Sequence, residues 1–301
     1  MKGKIVVVGS SNTDMVVNAH KIPAPGETIM GSSFSVIPGG KGANQAVAAA
    51  RAGADVIFIA KTGSDEFGQQ AIEGYQEEHI NTNFILQDQD TPSGIALIIV
   101  DDYSGQNSIV VAPGSNSKLT PQEIIALEEE IAGADVLLVQ LEIPLGTVQK
   151  SLEIAHYSEV LTILNPAPAQ KLDDDWLGLV DIITPNETET KLLTGIDPCD
   201  EDSIRAAGKE LLRKIKHTVI ITRGEHGVYY ISKNGAQGFL KTNSVKALDT
   251  TAAGDVFNGY LAAALSQGEN LEAAMKKAMK AATLSVCKKG AQTSIPFANE
   301  L

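Results

Sequence analysis

Apolar residues along the chain gather in short runs rich in valine and isoleucine, at residues 5–8, 56–60, 136–140, 160–164, 182–184 and 219–222. Most of these runs are continuous rather than alternating, the signature of strands buried on both faces. Helical stretches separate them, at 42–52, 66–78, 145–155, 200–214 and 271–286. Strand and helix in turn predict an α/β fold, with a central, mostly parallel sheet flanked by helices. Two regions break the alternation. Residues 14–38 carry apolar runs at 16–17 and 29–36, separated by Pro23 and Pro25 with no room for a helix. Residues 92–112 carry runs at 95–100 and 108–111 around a turn at 101–107. Both read as antiparallel strands of a small extra sheet, a lid or an oligomer interface. No repeat, low-complexity tract or linker interrupts the chain, so residues 1–301 are expected to form one main domain with that sheet appended.

Length changes this picture little, since a single α/β domain can reach 301 residues. Charge changes it more. Against 24 Lys and Arg stand 37 Asp and Glu, a formal net charge of −13. Such a balance repels nucleic acid and anionic lipid, so an anionic ligand must be held locally, by backbone amides or a few placed cations. Cys199 and Cys287 make no disulfide framework and fit no zinc spacing, and read as reduced thiols. Only four apolar residues precede Gly9, too few for a signal-peptide core, and no run approaches the ~18 residues of a membrane span. The expectation is a soluble, cytoplasmic protein with neither nucleic acid nor membrane as a partner.

Candidate chemistry lies where strands end, because ligands of open α/β sheets bind outside the carboxyl edge. After the first run comes Gly9-Ser10-Ser11-Asn12-Thr13-Asp14. Asn12 and Asp14 could hydrogen-bond hydroxyls, or could hold an Asx-turn; the G-x-G-x-x-G spacing of dinucleotide folds is absent. Pro38-Gly39-Gly40-Lys41-Gly42-Ala43-Asn44-Gln45 leads into an alanine-rich helix. A P-loop would need Gly where Ser35 stands and Ser or Thr where Gly42 stands. Its glycines still allow backbone near a ligand, with Lys41 and Asn44 in reach of polar groups; a glycine-rich turn with an N-cap reads equally well. Pro185-Asn186-Glu187-Thr188-Glu189 follows the run at 182–184. Asn186 and Glu189 would share one face of a first helical turn, suiting hydrated Mg²⁺, although taken alone the pair reads more simply as a helix cap. Thr222-Arg223-Gly224-Glu225-His226-Gly227 joins the run at 219–222 to a strand at 228–231. Its two glycines permit close approach to a nucleotide or make a plain hairpin turn, and His226 reads as solvated rather than catalytic.

The sharpest segment is Asp249-Thr250-Thr251-Ala252-Ala253-Gly254-Asp255. Ala252, Ala253 and Gly254 carry no bulk, so their amides can face a ligand at the start of a helix over 255–266. Free N–H groups and the helix dipole make an anion site there without net positive charge. Asp255 beside it could accept a proton from an attacking hydroxyl. Alternatively it caps the helix; the small and hydroxylated residues before it favour the base. Lys288-Lys289-Gly290-Ala291-Gln292-Thr293-Ser294 follows the helix at 271–286 and alone reads as a basic C-terminus with Gly at C′.

In this order, over essentially the whole chain, these segments resemble the ribokinase family of carbohydrate kinases. The resemblance rests on Asn12-Thr13-Asp14, on Gly39 through Gln45, on Asn186 through Glu189, and on Asp249 through Asp255 with Phe257-Asn258-Gly259. It implies a parallel α/β core with a β lid, and a homodimer joined through the lids. The implied reaction moves a phosphoryl group from ATP to the 5-hydroxyl of D-ribose, giving D-ribose 5-phosphate and ADP. Asp255 would be the general base, with Ala252, Ala253 and Gly254 as the anion hole. Asn12, Thr13, Asp14, Gly40, Lys41, Gly42, Ala43, Asn44 and Glu142 would surround the sugar. Asn186, Thr222, Arg223, Gly224, Glu225, His226, Gly227 and Gly254 would meet ATP, and Glu189 would organise Mg²⁺ through water. Asp249, Thr251, Ser285, Lys288, Gly290 and Ser294 match a loop pair that holds an activating monovalent cation, normally K⁺, largely by backbone carbonyls. Arg223 stands where many members carry Leu. Met279 falls where a polar residue often meets the adenine, so that contact is not carried over.

Three other readings compete. A kinase for another sugar such as deoxyribose would share the same motifs, whereas a nucleoside kinase is disfavoured by a sugar set that lacks an aromatic platform. A catalytically silent sugar- or nucleotide-binding regulator could use the fold, but Asp255 and the small residues before it are retained. A nicotinamide-dependent dehydrogenase lacks its glycine fingerprint.

Overall fold

The computed structural model describes residues 2–301. The six apolar runs and the strand expected at 228–231 lie in a nine-stranded sheet, as β1 (Lys4–Val8), β4 (Asp55–Gly63), β8 (Val136–Val139), β9 (Leu161–Leu164), β10 (Ile182–Ile183), β11 (Thr218–Thr222) and β12 (Val228–Ser232); its two edge strands, β5 (Ile85–Asp88) and β13 (Gln237–Leu240), lie outside the expected runs. Their order is β13-β12-β11-β10-β9-β8-β1-β4-β5. Pairing is parallel from β5 through β11 and antiparallel at β11–β12 and β12–β13.

Strand alternation divides each run between two cores. Ile5, Val7, Phe58, Leu138 and Ile220 pack against the helices Lys41–Arg51, Ala253–Ser266 and Leu271–Ser285. Val6, Val8, Ile59, Leu137 and Ile221 pack on the other face against Leu145–Tyr157 and Glu201–Lys214. Both faces being covered explains why the runs are continuously apolar.

The segments 14–38 and 92–112 contribute to a second sheet of four strands: β2 (Asn12–Ala19), β3 (Gly31–Gly39), β6 (Gly94–Asp101) and β7 (Asn107–Ala112). The antiparallel expectation holds within the pairs β2–β3 and β6–β7, but the central pair β2–β6 is parallel. Two excursions from the core explain this. β2 follows β1 and β6 follows β5, so both leave the large sheet in the same sense, and each returns through its own hairpin. Local alternation reveals a hairpin; it does not reveal how two distant hairpins meet.

Among the described residues no helix is long and apolar enough to cross a membrane. Cys199 and Cys287 are exposed free thiols.

Candidate active site

In the large sheet β1 lies between β4 and β8, so strand order reverses there and a crevice opens at the strands' carboxyl ends. Ser10, just past β1, donates its Oγ to Glu142 Oε2 at 2.6 Å across that crevice, and Lys41 N–H reaches the same oxygen at 3.0 Å. The helix Lys41–Arg51 starts directly against β1. A Cβ on Gly42 would lie 2.5 Å from the Ser10 nitrogen, so only glycine allows this approach. The amides of Gly42 and Ala43 are spent on Ser10 Oγ and its carbonyl, at 3.3 and 2.9 Å. They fasten the helix to the loop rather than facing a ligand. Strand alternation turns Thr13 to the face opposite Asn12 and Asp14.

Asn12 is itself fastened. Asn116 Oδ1 accepts the Ser11 N–H at 2.8 Å, while its Nδ2 donates to the Ser11 carbonyl at 3.0 Å and to Asn12 Oδ1 at 2.8 Å. Two backbone groups thereby fix the Asn116 amide, and Asn12 keeps its Nδ2 donor for the pocket. Asn116 escaped sequence reasoning; a buried Asn between strands was its only signal.

Asp255 closes the crevice. The expected helix start at 255 is two residues late, since the helix is Ala253–Ser266 and Ala252 is its N-cap, in the left-handed region at φ 60°. Asp255 therefore does not cap. Its carboxylate, 6% exposed at the residue level, accepts from Asn44 Nδ2 on Oδ2 at 3.0 Å and from Gln45 Nε2 on Oδ1 at 2.9 Å. Gly259 makes this reach possible, because a Cβ there would lie 2.5 Å from Ala48 Cβ on the facing helix. Burial raises the Asp255 pKa, opposed by the Lys41 ammonium and then by the Gln45 and Asn44 amides. Burial, Glu142 and Asp255 push Asp14 up to about 6, against Lys41. The same carboxylates, Asp255 foremost, hold Lys41 charged despite burial. Asn44 Oδ1 is buried without a partner among the described residues, an acceptor suited to a hydroxyl.

Beside Asp255 the helix start presents bare amides. Ala253 N–H turns back to the Thr250 carbonyl at 3.3 Å, a departure from the expected trio. Among the described residues no acceptor meets the N–H groups of Ala252, Gly254 or Asp255. A cavity of about 520 Å³ opens from Ala253 and Gly254. It is lined by Asn186, Thr222, Gly224, Glu225 and Gly227, as the motifs indicated, and by residues that they did not: Thr242, Asn243, Val245, Ala247, Phe257, Met279, Ala282, Thr283 and Val286. Met279 stands at the position that the resemblance associates with the adenine, a contact not carried over from sequence, and it does line the cavity; Ala282, Thr283 and Val286 follow it at helical spacing, and the segment past β13 has no regular structure to betray it. Arg223 and His226 line a neighbouring cleft with Phe239 and Lys241 instead, joined to the cavity through Glu225 and Thr242. The positive φ at Gly224 and Gly227 is required by the β11–β12 hairpin itself.

The metal candidates divide. Asn186 and Glu189 form the capping box that their spacing allowed, with both Glu189 oxygens taken by Asn186 N–H and Nδ2 at 2.8 and 3.0 Å. Each Glu189 oxygen keeps one lone pair beyond the cap for solvent or a cation. Asp249 joins two loops, accepting Thr251 N–H and Gly290 N–H at 2.9 Å each. Burial pushes its pKa up, yet hydrogen bonds from Thr251 and Gly290 hold it below the ordinary range. The hydroxyls of Ser285 and Ser294 donate to Ala282 and Ala291 carbonyls, and Lys288 Nζ pairs with Glu300. Any cation there would be met by backbone oxygens, with Asp249 as the nearby fixed charge.

A buried carboxylate beside free helix-start amides, between a polar crevice and an apolar-walled cavity, is the arrangement of a group-transfer site for two ligands. The chain belongs to the pfkB family of carbohydrate kinases, whose model matches residues 2–298. Within that family it is 44% identical over 300 residues to a ribokinase of Haemophilus influenzae, covering 100% of this chain and 97% of that protein. A deoxyribokinase of Salmonella typhi is 37% identical, over 97% of this chain and 95% of its own. The structure of Arabidopsis thaliana ribokinase complexed with ribose and ATP superposes with a TM-score of 0.91 at 28% identity, covering 99% of this chain and 97% of that one.

Proposed function

We propose that the protein phosphorylates D-ribose at its 5-hydroxyl with ATP, releasing D-ribose 5-phosphate and ADP. The observation that carries this reading is Asp255, buried within hydrogen-bond reach of Asn44 and beside unpaired helix-start amides. Asn12, Asp14, Lys41, Asn44 and Glu142, with the Gly40 backbone, hold the sugar by its hydroxyls. Asp255 takes the proton from the attacking hydroxyl, and the Ala252 and Gly254 amides neutralise charge on the transferring group. The adenosine lies in the cavity walled by Met279, Ala282 and Val286, its phosphates toward Asn186, Thr222, Gly224 and Gly254. Mg²⁺ would arrive on those phosphates and screen their charge, with Glu189 reaching it through water. The carbonyls around Asp249, Thr251, Ser285, Gly290 and Ser294 would hold K⁺ and stabilise the loop that carries the amides.

The small sheet acts as a lid over the sugar and as the dimer contact. Supporting this, Phe34, Val36, Leu97, Ile109, Val110 and Val111 expose apolar surface along its strands. The cytoplasm, where ATP is abundant, is the expected compartment.

ADP release over a panel of D-ribose, 2-deoxy-D-ribose and nucleosides, in K⁺ and in a large organic cation, tests the reading. Ribose turnover with K⁺ stimulation is the expected result. No turnover with any pentose removes the sugar assignment, preference for 2-deoxyribose moves it, and equal rates in both cations remove the K⁺ site.

A further inference from the structure

Behind Asp255, away from the cleft, lies a chain of amides that the proposed reaction leaves without a part. Gln45 and Gln140 are completely buried and Asn165 nearly so. Gln45 Nε2 donates both to Asp255 Oδ1 at 2.9 Å and to Asn165 Oδ1 at 3.0 Å, while Gln45 Oε1 receives Gln140 Nε2 at 2.6 Å. We infer that Gln45 is a positioning residue for Asp255, locked by this relay so that Oδ1 stays an acceptor and proton uptake falls to Oδ2, beside Asn44. The inference rests on Asp255 being the base.

An amide side chain can ordinarily exchange its oxygen and nitrogen by turning over. This relay prevents it, because one end is an obligate acceptor. Asn165 Nδ2 donates to the Thr184 carbonyl at 3.4 Å, which leaves Asn165 Oδ1 as an acceptor toward Gln45. Turning Gln45 over would set its oxygen against Asn165 Oδ1 and the Asp255 carboxylate; Gln140, whose Oε1 has no partner among the described residues, could turn with it, so the lock lies at the Asn165 end. A proton on Asp255 Oδ1 would likewise point at the Gln45 NH₂. The other oxygen also meets an amide donor, Asn44 Nδ2, but Asn44 Oδ1 has no partner among the described residues, so that amide is free to turn over and accept from a proton on Oδ2, on the sugar side. The relay also reaches the phosphoryl side. Thr184 Oγ1 donates to Asn258 Oδ1 at 2.7 Å, and Asn258 Nδ2 to the Gly254 carbonyl at 2.8 Å. Base and anion site are thus hung on the ends of β8, β9 and β10 by one chain of buried hydrogen bonds.

The charged groups that face Asp255 are Lys41 from its helix, Glu142 past β8, Asp14 on β2 and Glu189 on the helix Glu187–Thr194. Among the described residues none of them hydrogen-bonds Gln45, so none loses a direct contact in the variant. The test is the pH dependence of kcat at saturating D-ribose in Gln45→Met, which keeps length and removes the donor; saturation takes out the acid limb that Asp14 places on ribose affinity. Losing a hydrogen bond to the ionised form raises a carboxyl pKa, so the acid limb should move up by about one pH unit. A packing role alone would lower the rate evenly and leave the limb where it was. Should Gln45→Met fold poorly, Gln140→Met leaves every Asp255 contact in place and should move the limb the same way by less. An unmoved limb in the variants that fold overturns the inference. Asp255→Asn is measured alongside: an active enzyme removes the base and the inference together, whereas an inactive one with an unmoved limb in Gln45→Met removes the inference alone.

Discussion

The two halves of the active cleft are built by opposite means. On the side proposed for the sugar, polar groups just past β1 and β8 and on the helices Lys41–Arg51 and Ala253–Ser266 hydrogen-bond one another before any ligand arrives. On the side proposed for the nucleotide, a cavity of about 520 Å³ combines Val, Ala, Met and Phe side chains and glycine backbone with polar residues such as Asn186, Thr222, Asn243 and Thr283. On the proposed reading, the first would discriminate through groups left unpaired when a hydroxyl is missing. The second would accept a flat body and place its phosphates by N–H groups. A protein with net charge −13 would then bind a polyanion because the anion meets amides rather than the protein's average field.

If the halves differ in this way, damage to each should appear in a different constant. The largest effect is expected from Lys41→Met, which leaves Asp14, Glu142 and Asp255 facing one another without their shared cation. A hydrogen bond from a charged group to a sugar hydroxyl contributes about 1.5–3 kcal/mol, so kcat/KM for ribose should fall by about 100-fold while the ATP KM changes little. An equal rise in both KM values would erase the distinction.

Asp14 sharpens it. Its pKa, pushed up to about 6 chiefly by burial, predicts that ribose affinity weakens as pH falls through 6 and the acceptor is lost. Stability runs the other way. The folded state holds this proton more tightly than the unfolded state does, so Asp14's ionisation costs stability that accrues as pH rises from about 4 to about 6. Asp14→Asn should therefore raise the melting temperature at pH 7 while weakening ribose binding. A variant destabilised at pH 7 would mean that Asp14 supports the fold rather than the site.

The smallest effect belongs to the apolar wall. Ala282→Phe should raise the ATP KM by about tenfold by filling the cavity and leave the ribose KM unchanged, measured with each substrate varied in turn. Unaltered ATP kinetics would place the nucleotide elsewhere.

The same contrast decided what the sequence disclosed. The continuous apolar runs announced the large sheet, and the lid hairpins showed as broken alternation. The parallel join between β2 and β6 did not, because it depends on where two distant excursions leave the core. Asn12, Asp14, Lys41, Asn44 and Asp255, whose residue types stand out at strand ends and helix starts, could be picked out as candidates, and the fold brings them to one crevice. The supports Asn116, Gln140 and Asn165 look like ordinary polar residues until the fold buries them beside the site. The cavity wall was least legible: Met279 stood out only for departing from the polar residue expected near the adenine, and Ala282, Thr283 and Val286 follow the spacing of any core-facing helix. Arg223 and His226 lay in a motif whose loop turns them into the adjoining cleft.

Both halves meet at Asp255, and its role as the base is the claim on which the rest depends. The direct measurement is the rate of ADP release by Asp255→Asn at saturating D-ribose and ATP, with the melting temperature as control. A folded variant slowed by about 100-fold or more is the predicted result. A folded variant that turns over within a few-fold of the parent would contradict it.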